Sequence, residues 1–127
     1  MKLTTVQEVL EAKVIYGNEF LDKEALNACG ADLMSDVLVF TKCKTLLLTG
    51  LNNVQVIRTA EISDLVGIVF VRGKEPNETV IEAAKKDKLP LFSTKLTLYE
   101  ASGVLYSHGL RGCEHKIEGG GVSIHER

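Results

Sequence analysis

The chain has 127 residues, 45% of them apolar and 25% charged, which suits one soluble domain around one hydrophobic core. Its 15 Lys and Arg against 17 Asp and Glu leave a formal charge of −2, so there is no basic surface of the kind a general nucleic-acid binder needs to displace phosphate counterions. No apolar run approaches the roughly 18 residues of a membrane span, and the start, Met1-Lys2-Leu3-Thr4-Thr5-Val6-Gln7-Glu8, is too polar for a signal peptide. Three cysteines, Cys29, Cys43 and Cys113, form an odd set without CxxC spacing. A disulfide framework is therefore not expected, and a cytoplasmic location is.

Val6, Val9 and Leu10 give Thr4–Ala12 a helical stripe, and Thr5 and Glu8 have the spacing of a capping box. A strand over Lys13–Tyr16 is expected next, ended by Gly17-Asn18, with a loop over residues 18–24. Ala25–Ala31 reads as a strand, and Asp32–Phe40 as a short helix with an irregular turn. The pattern then sharpens. Thr45-Leu46-Leu47-Leu48-Thr49-Gly50 is the continuous apolar run of a strand buried on both faces. Asn52 and Gln55 are spaced as a cap for a helix carrying Val54, Ile57, Ala60, Ile62 and Leu65. Gly67–Val71 is a second buried strand, and Pro76 suits the first turn of a helix ending in Lys85, Lys86 and Lys88. Leu89–Thr94 is a third, with Pro90 at its beginning, and Thr97 and Glu100 cap a last helix running to about Ser107. This alternation predicts an α/β domain over residues 1–112: a largely parallel sheet of βαβ units with flanking helices. Residues 113–127 read as a glycine-containing tail, with Val122-Ser123-Ile124 as a segment suited to a sheet edge or to disorder.

Parallel sheets bind ligands beyond the carboxyl ends of their strands, where helices begin. That rule gathers the loops holding Thr49, Gly50 and Asn52, Arg72 and Lys74, and Ser93, Thr94 and Lys95. Together they offer hydroxyls, amides and cations to an anion such as a nucleotide phosphate, although Asn, Ser and Thr at helix starts also serve as plain caps. Arg58, inside the first helix of this unit, reads as solvated or dimer-facing. The chain has no G-x-x-x-x-G-K-[ST], no G-x-G-x-x-G after its first buried strand and no G-x-S-x-G. Histidines occur only at positions 108, 115 and 125, so no general base is evident.

Two other constellations offer chemistry. His108, Cys113, His115 and His125 form a zinc-like ligand set near the C-terminus, in a spacing that matches no structural zinc motif. Asp32 and Asp36 would share one face of a helix and hold Mg²⁺, or act as a cap and a solvated carboxylate. Cys29 and Cys43 read as small buried hydrophobes.

The segments Ala31–Leu38, Leu46–Leu51, Arg58-Thr59-Ala60-Glu61, Gly67–Lys74, Leu91–Thr94 and Tyr99-Glu100-Ala101 together resemble the DRTGG domain, over roughly residues 1–112. Asp36, Arg58, Thr94 and Gly103 are the positions to which the family's initials point. The resemblance implies an α/β domain similar to the N-terminal domain of HPr kinase/phosphorylase, found beside CBS pairs in nucleotide-regulated pyrophosphatases. In such proteins another domain carries the chemistry, and the HPr kinase phosphate loop has no counterpart here. The expectation is a non-catalytic regulatory or scaffolding module without a cofactor. It is expected to be a homodimer with a protein partner, binding a small phosphorylated or nucleotide ligand at the sheet edge. The alternatives are a small Mg-dependent phosphotransfer or hydrolytic enzyme, and metal-dependent assembly through the tail.

Overall fold

A computed structural model describes residues 1–41 and 44–112. A five-stranded sheet, in the order β1-β5-β4-β3-β2, runs through the domain. Its strands are β1 (Lys13–Tyr16), β2 (Asn27–Gly30), β3 (Thr45–Thr49), β4 (Leu65–Phe70) and β5 (Leu91–Ser93). β2 through β5 pair in parallel, while β1 lies antiparallel against β5, with Lys13 opposite Ser93. The α/β class and the largely parallel sheet are as expected. The antiparallel edge is an addition that β1's composition did not announce.

The period-two alternation of strand side chains divides the core into two layers. Leu46, Leu48, Val69, Val71 and Phe92 pack with Leu3, Val6 and Leu10 of the first helical segment and with Ala101 and Leu105 near the C-terminus. Leu47, Ile68, Phe70 and Leu91 pack on the other face with Met34, Val37, Val56, Ile57, Val80 and Ala84. Thus α1 (Leu3–Val9) and α5 (Leu98–Ser107) cover one side, and α2 (Met34–Phe40), α3 (Val54–Ser63) and α4 (Glu78–Lys86) the other. Each fully buried Leu, Ile, Val or Phe contributes about 1.5–3 kcal/mol of transfer free energy, which is why the central strands are apolar throughout.

Several local expectations change. α1 starts after Lys2 with no side-chain cap, because the Leu3 and Thr4 amides are taken by the Lys23 and Leu21 carbonyls; Thr5 and Glu8 form no box. The cap of α3 is Asn53, whose Oδ1 accepts from the Gln55 amide at 3.0 Å, not Asn52. Leu65 belongs to β4, and Ile62 is 76% exposed, so the buried stripe of α3 is shorter than the apolar pattern suggested. Pro76 precedes the cap Asn77 and lies outside α4. The loop after β1 contains a 3-10 turn over Asn18–Phe20. Cys29 is only half-buried. Cys43, the tail 113–127, and with it the edge-strand expectation for Val122-Ser123-Ile124, lie outside the described residues.

Candidate functional site

The carboxyl ends of β3, β4 and β5 meet the starts of α3, α4 and α5 along one rim of the sheet. Each helix start is fixed by a side-chain cap: Asn53, Asn77 and Thr97, the last accepting from the Glu100 amide at 3.2 Å. The rim's loops are then latched by polar side chains of the strand ends. Thr49 Oγ1 donates to Asp32 Oδ1 at 3.0 Å and accepts from the Leu51 amide at 3.1 Å, while the Gly50 amide donates to the same Asp32 oxygen at 2.7 Å. Ser93 Oγ donates to the Lys74 carbonyl at 2.7 Å. Thr94, buried, donates to the Leu10 carbonyl at 2.8 Å and accepts from the Leu96 amide at 3.3 Å. The hydroxyl protons of Thr49, Ser93 and Thr94 are therefore spent on holding the loops.

The cations remain outward. Arg72, Lys74 and Lys95 are all exposed. Arg72 adopts φ 59°, followed by Gly73 at φ 69°. A non-glycine residue rarely takes a left-handed conformation, and such strain gathers at functional sites. Four further non-glycine residues do so, Glu11, Lys44, Asp64 and Lys88, but each lies in a turn leading from a helix into a strand. Arg72 alone among them lies where a strand leads into a helix, held by the hydrogen bond its amide donates to the Leu96 carbonyl at 2.8 Å. Its guanidinium crosses to the neighbouring loop and rests on Gly50, where a Cβ would come within 2.7 Å of Nη2. A Cβ at position 50 would push the guanidinium end aside. Among the described residues the side-chain ion pairs are Lys13–Glu75 at 3.3 Å and Lys85–Glu82 at 3.4 Å, so Arg72 has no carboxylate against it.

The rim thus has two compartments. Arg72, Gly50, Thr49 and Asp32 form one. The other is a groove of about 350 Å³ lined by Glu11, Lys13, Gly73, Glu75, Ser93, Thr94 and Lys95. Asn52 stands between them, its Nδ2 donating to the Glu75 carbonyl at 3.4 Å. Lys13 and Glu11 escaped the sequence reading because β1's reversed direction, which brings its first residue to this rim, carries no local signal; Glu75 directly follows Lys74 in the loop between β4 and α4.

Other candidates do not converge. Asp32 precedes α2 and is bonded to the β3 loop, whereas Asp36 stands exposed in the first turn of α2, so the two do not share a helix face. His108 caps the far end of α5, its Nδ1 2.8 Å from the Val104 carbonyl; its three prospective metal partners lie outside the described residues. Among the described residues no group of three or more His, Cys, Asp or Glu is placed to hold a metal ion. Asp36, Arg58, Thr94 and Gly103 occupy separate elements on both sides of the sheet. Arg58 is exposed beside Glu61, in a groove of about 580 Å³ between α3 and α4. Hydrogen bonding to Asp87, and repulsion from its charge, raise the Glu61 carboxyl above its ordinary range.

A model of the DRTGG domain matches residues 5–107. The chain belongs to the DRTGG domain family. No curated protein matches the sequence. Among solved structures, this DRTGG domain is similar to the CBS and DRTGG domains of the regulatory region of Clostridium perfringens pyrophosphatase, a structure complexed with its activator, diadenosine tetraphosphate. The two share 17% identity and a TM-score of 0.65 over 82% of this chain, a likeness of fold. This chain spans 45% of that one. No helix among the described residues is long and apolar enough to cross a membrane.

Proposed function

We propose that this DRTGG domain is a non-catalytic regulatory module of the cytoplasm, a homodimer that binds a small phosphorylated or nucleotide ligand at the carboxyl rim of its sheet. The observation that carries this reading is Arg72. A left-handed backbone directs an exposed guanidinium over the bare Cα of Gly50, with no carboxylate among the described residues against it. A guanidinium so placed offers the paired donors that phosphate oxygens accept. Lys74 and Lys95 add charge, and Gly73 and Gly50 let a ligand approach the backbone. The regulatory setting and the nucleotide activator of the similar pyrophosphatase region support the same ligand class. The commitment of Asp32 to the Thr49–Gly50 loop weighs against a metal-dependent enzyme built on Asp32 and Asp36. Residues 1–112 form the binding domain, with 113–127 as an appended tail.

Ligand action would be a population shift: the nucleotide stabilises whichever arrangement of protomers or partner protein it binds better. Thermal denaturation with adenine and guanine nucleotides, diadenosine tetraphosphate and acetyl phosphate tests the reading. A ligand at a hundred times its Kd stabilises the fold by about 2.7 kcal/mol. Arg72→Ala is expected to abolish that shift, and Gly50→Ala to reduce it by displacing the guanidinium. Absence of any shift, or one that survives Arg72→Ala, refutes this site.

A further inference from the structure

Among the described residues, nothing covers the outer face of α5. Tyr99 is 85% exposed and Tyr106 48%, and Gly103 lies between them with nothing within 4 Å of where a Cβ would stand. These residues, with Ser102 and Ser107, border a shallow groove of about 620 Å³. Glu100 is the one acidic or basic residue in the α5 sequence LYEASGVLYS. A helix so apolar all round normally has neighbours all round. Glycine in a helix interior costs roughly 1 kcal/mol relative to alanine, and nothing among the described residues requires its small size at position 103.

We infer that α5 is the homodimer surface: the α5 helices of two copies cross antiparallel about a two-fold axis at Gly103, with Glu100 of each copy meeting Arg111 of the other. The inference rests on the homodimer proposed above and assigns its contact face. The choice of occupant comes from charge. In an antiparallel pair centred on residue 103, the position three residues before the centre lies opposite the position three after it. Glu100 of one copy therefore faces Tyr106 of the second. The Arg111 guanidinium already covers that ring, 4.2 Å from the ring centroid. Two-fold symmetry repeats the Glu100–Arg111 contact at the other end, so the charges pair twice and none is left over. Gly103 lets the helix axes approach closely at the crossing. Tyr99 of each copy then lies beside Ser107 of the other, a large ring against a small residue. Tyrosine and arginine are the residues that most often anchor such contacts.

Sedimentation velocity on the full chain across the micromolar range tests this. The wild type is expected to be a dimer. Gly103→Arg fills the crossing point and is expected to weaken association by at least roughly 30-fold, the scale of one central anchor. It stays folded, because its side chain enters open space. Glu100→Arg and Arg111→Glu each weaken the dimer, and the two together restore it. A monomeric wild type overturns the dimer and this surface together. A dimer indifferent to Gly103→Arg and to both charge reversals overturns the surface alone, and nucleotide-induced thermal shifts judge the rim site separately.

Discussion

The two rims of the sheet are built by opposite means. At the amino rim, the turns into β3, β4 and β5 each use a left-handed residue, Lys44, Asp64 and Lys88, and the end of α2 adds a bond from Thr41 Oγ1 to the Val37 carbonyl at 2.6 Å. At the carboxyl rim, side chains tie the loops down: Asp32 holds Thr49 and Gly50, Ser93 holds Lys74, and Thr94 holds Leu10. Backbone geometry largely suffices where a turn has only to reverse the chain, with Thr45 donating to Asn27 between the starts of β3 and β2. Where loops from several strands must keep a fixed spacing, they are cross-braced through polar side chains. Arg72 and Glu11 join the two styles, left-handed residues on the braced rim.

Substitutions at the braces are expected to do the most damage. Thr94→Val leaves a buried carbonyl and amide without their partner and should cost about 1–3 kcal/mol, seen as a lower denaturation midpoint in urea. Asp32→Ala removes two charge-assisted bonds. It should cost about 1–2 kcal/mol and also weaken any ligand held by Arg72, so calorimetric titration should register it beside the stability loss.

At the amino rim the sign reverses. Lys88→Gly relieves an unfavourable backbone and is expected to stabilise by about 0.5–1 kcal/mol. Arg72→Gly should give a similar gain while abolishing the nucleotide-induced thermal shift. A stabilised Arg72→Gly that still responds to nucleotide would dissolve the distinction drawn between that residue and Lys88.

The smallest effect is electrostatic and lies at the amino rim, where Glu61 meets Asp87. Because the folded state raises the Glu61 carboxyl above its ordinary 4.5, the fold binds more protons than the unfolded chain between those values. Stability from this pair is therefore present below about 4.5 and lost as pH rises through the raised value. Glu61→Gln should flatten that part of a stability-against-pH curve, and this group is exposed enough that the change is slight.

How legible all this was in the sequence follows the range of the interactions. β3 and β4 could be read directly, since Leu46-Leu47-Leu48 and Ile68-Val69-Phe70 are apolar on both faces of a central strand. The Thr97 cap was equally plain, because its partner amide is three residues away. The location of the rim followed from a rule about parallel sheets, and Arg72 was among its residues. The braces were not legible. Thr94 and Leu10 are 84 residues apart, and Asp32 reaches Thr49 from the end of a neighbouring strand. Ser93 and Thr94 drew attention for their hydroxyls, but a sequence does not say whether a hydroxyl faces a ligand or a carbonyl. β1 could be placed from the sequence and its direction could not, because a short half-buried strand takes its orientation from its neighbour.

That reversed β1 also shapes how the domain is made. β1 pairs with β5 and the Leu10 carbonyl accepts from Thr94, so a strand made before the other four is closed by the last of them. Contacts this distant along the chain slow folding and leave early segments waiting for late ones. On the ribosome, β2, β3 and β4 can pair in order of emergence, whereas the β1 segment has no edge to join until β5 arrives, and until then its residues are available to a chaperone.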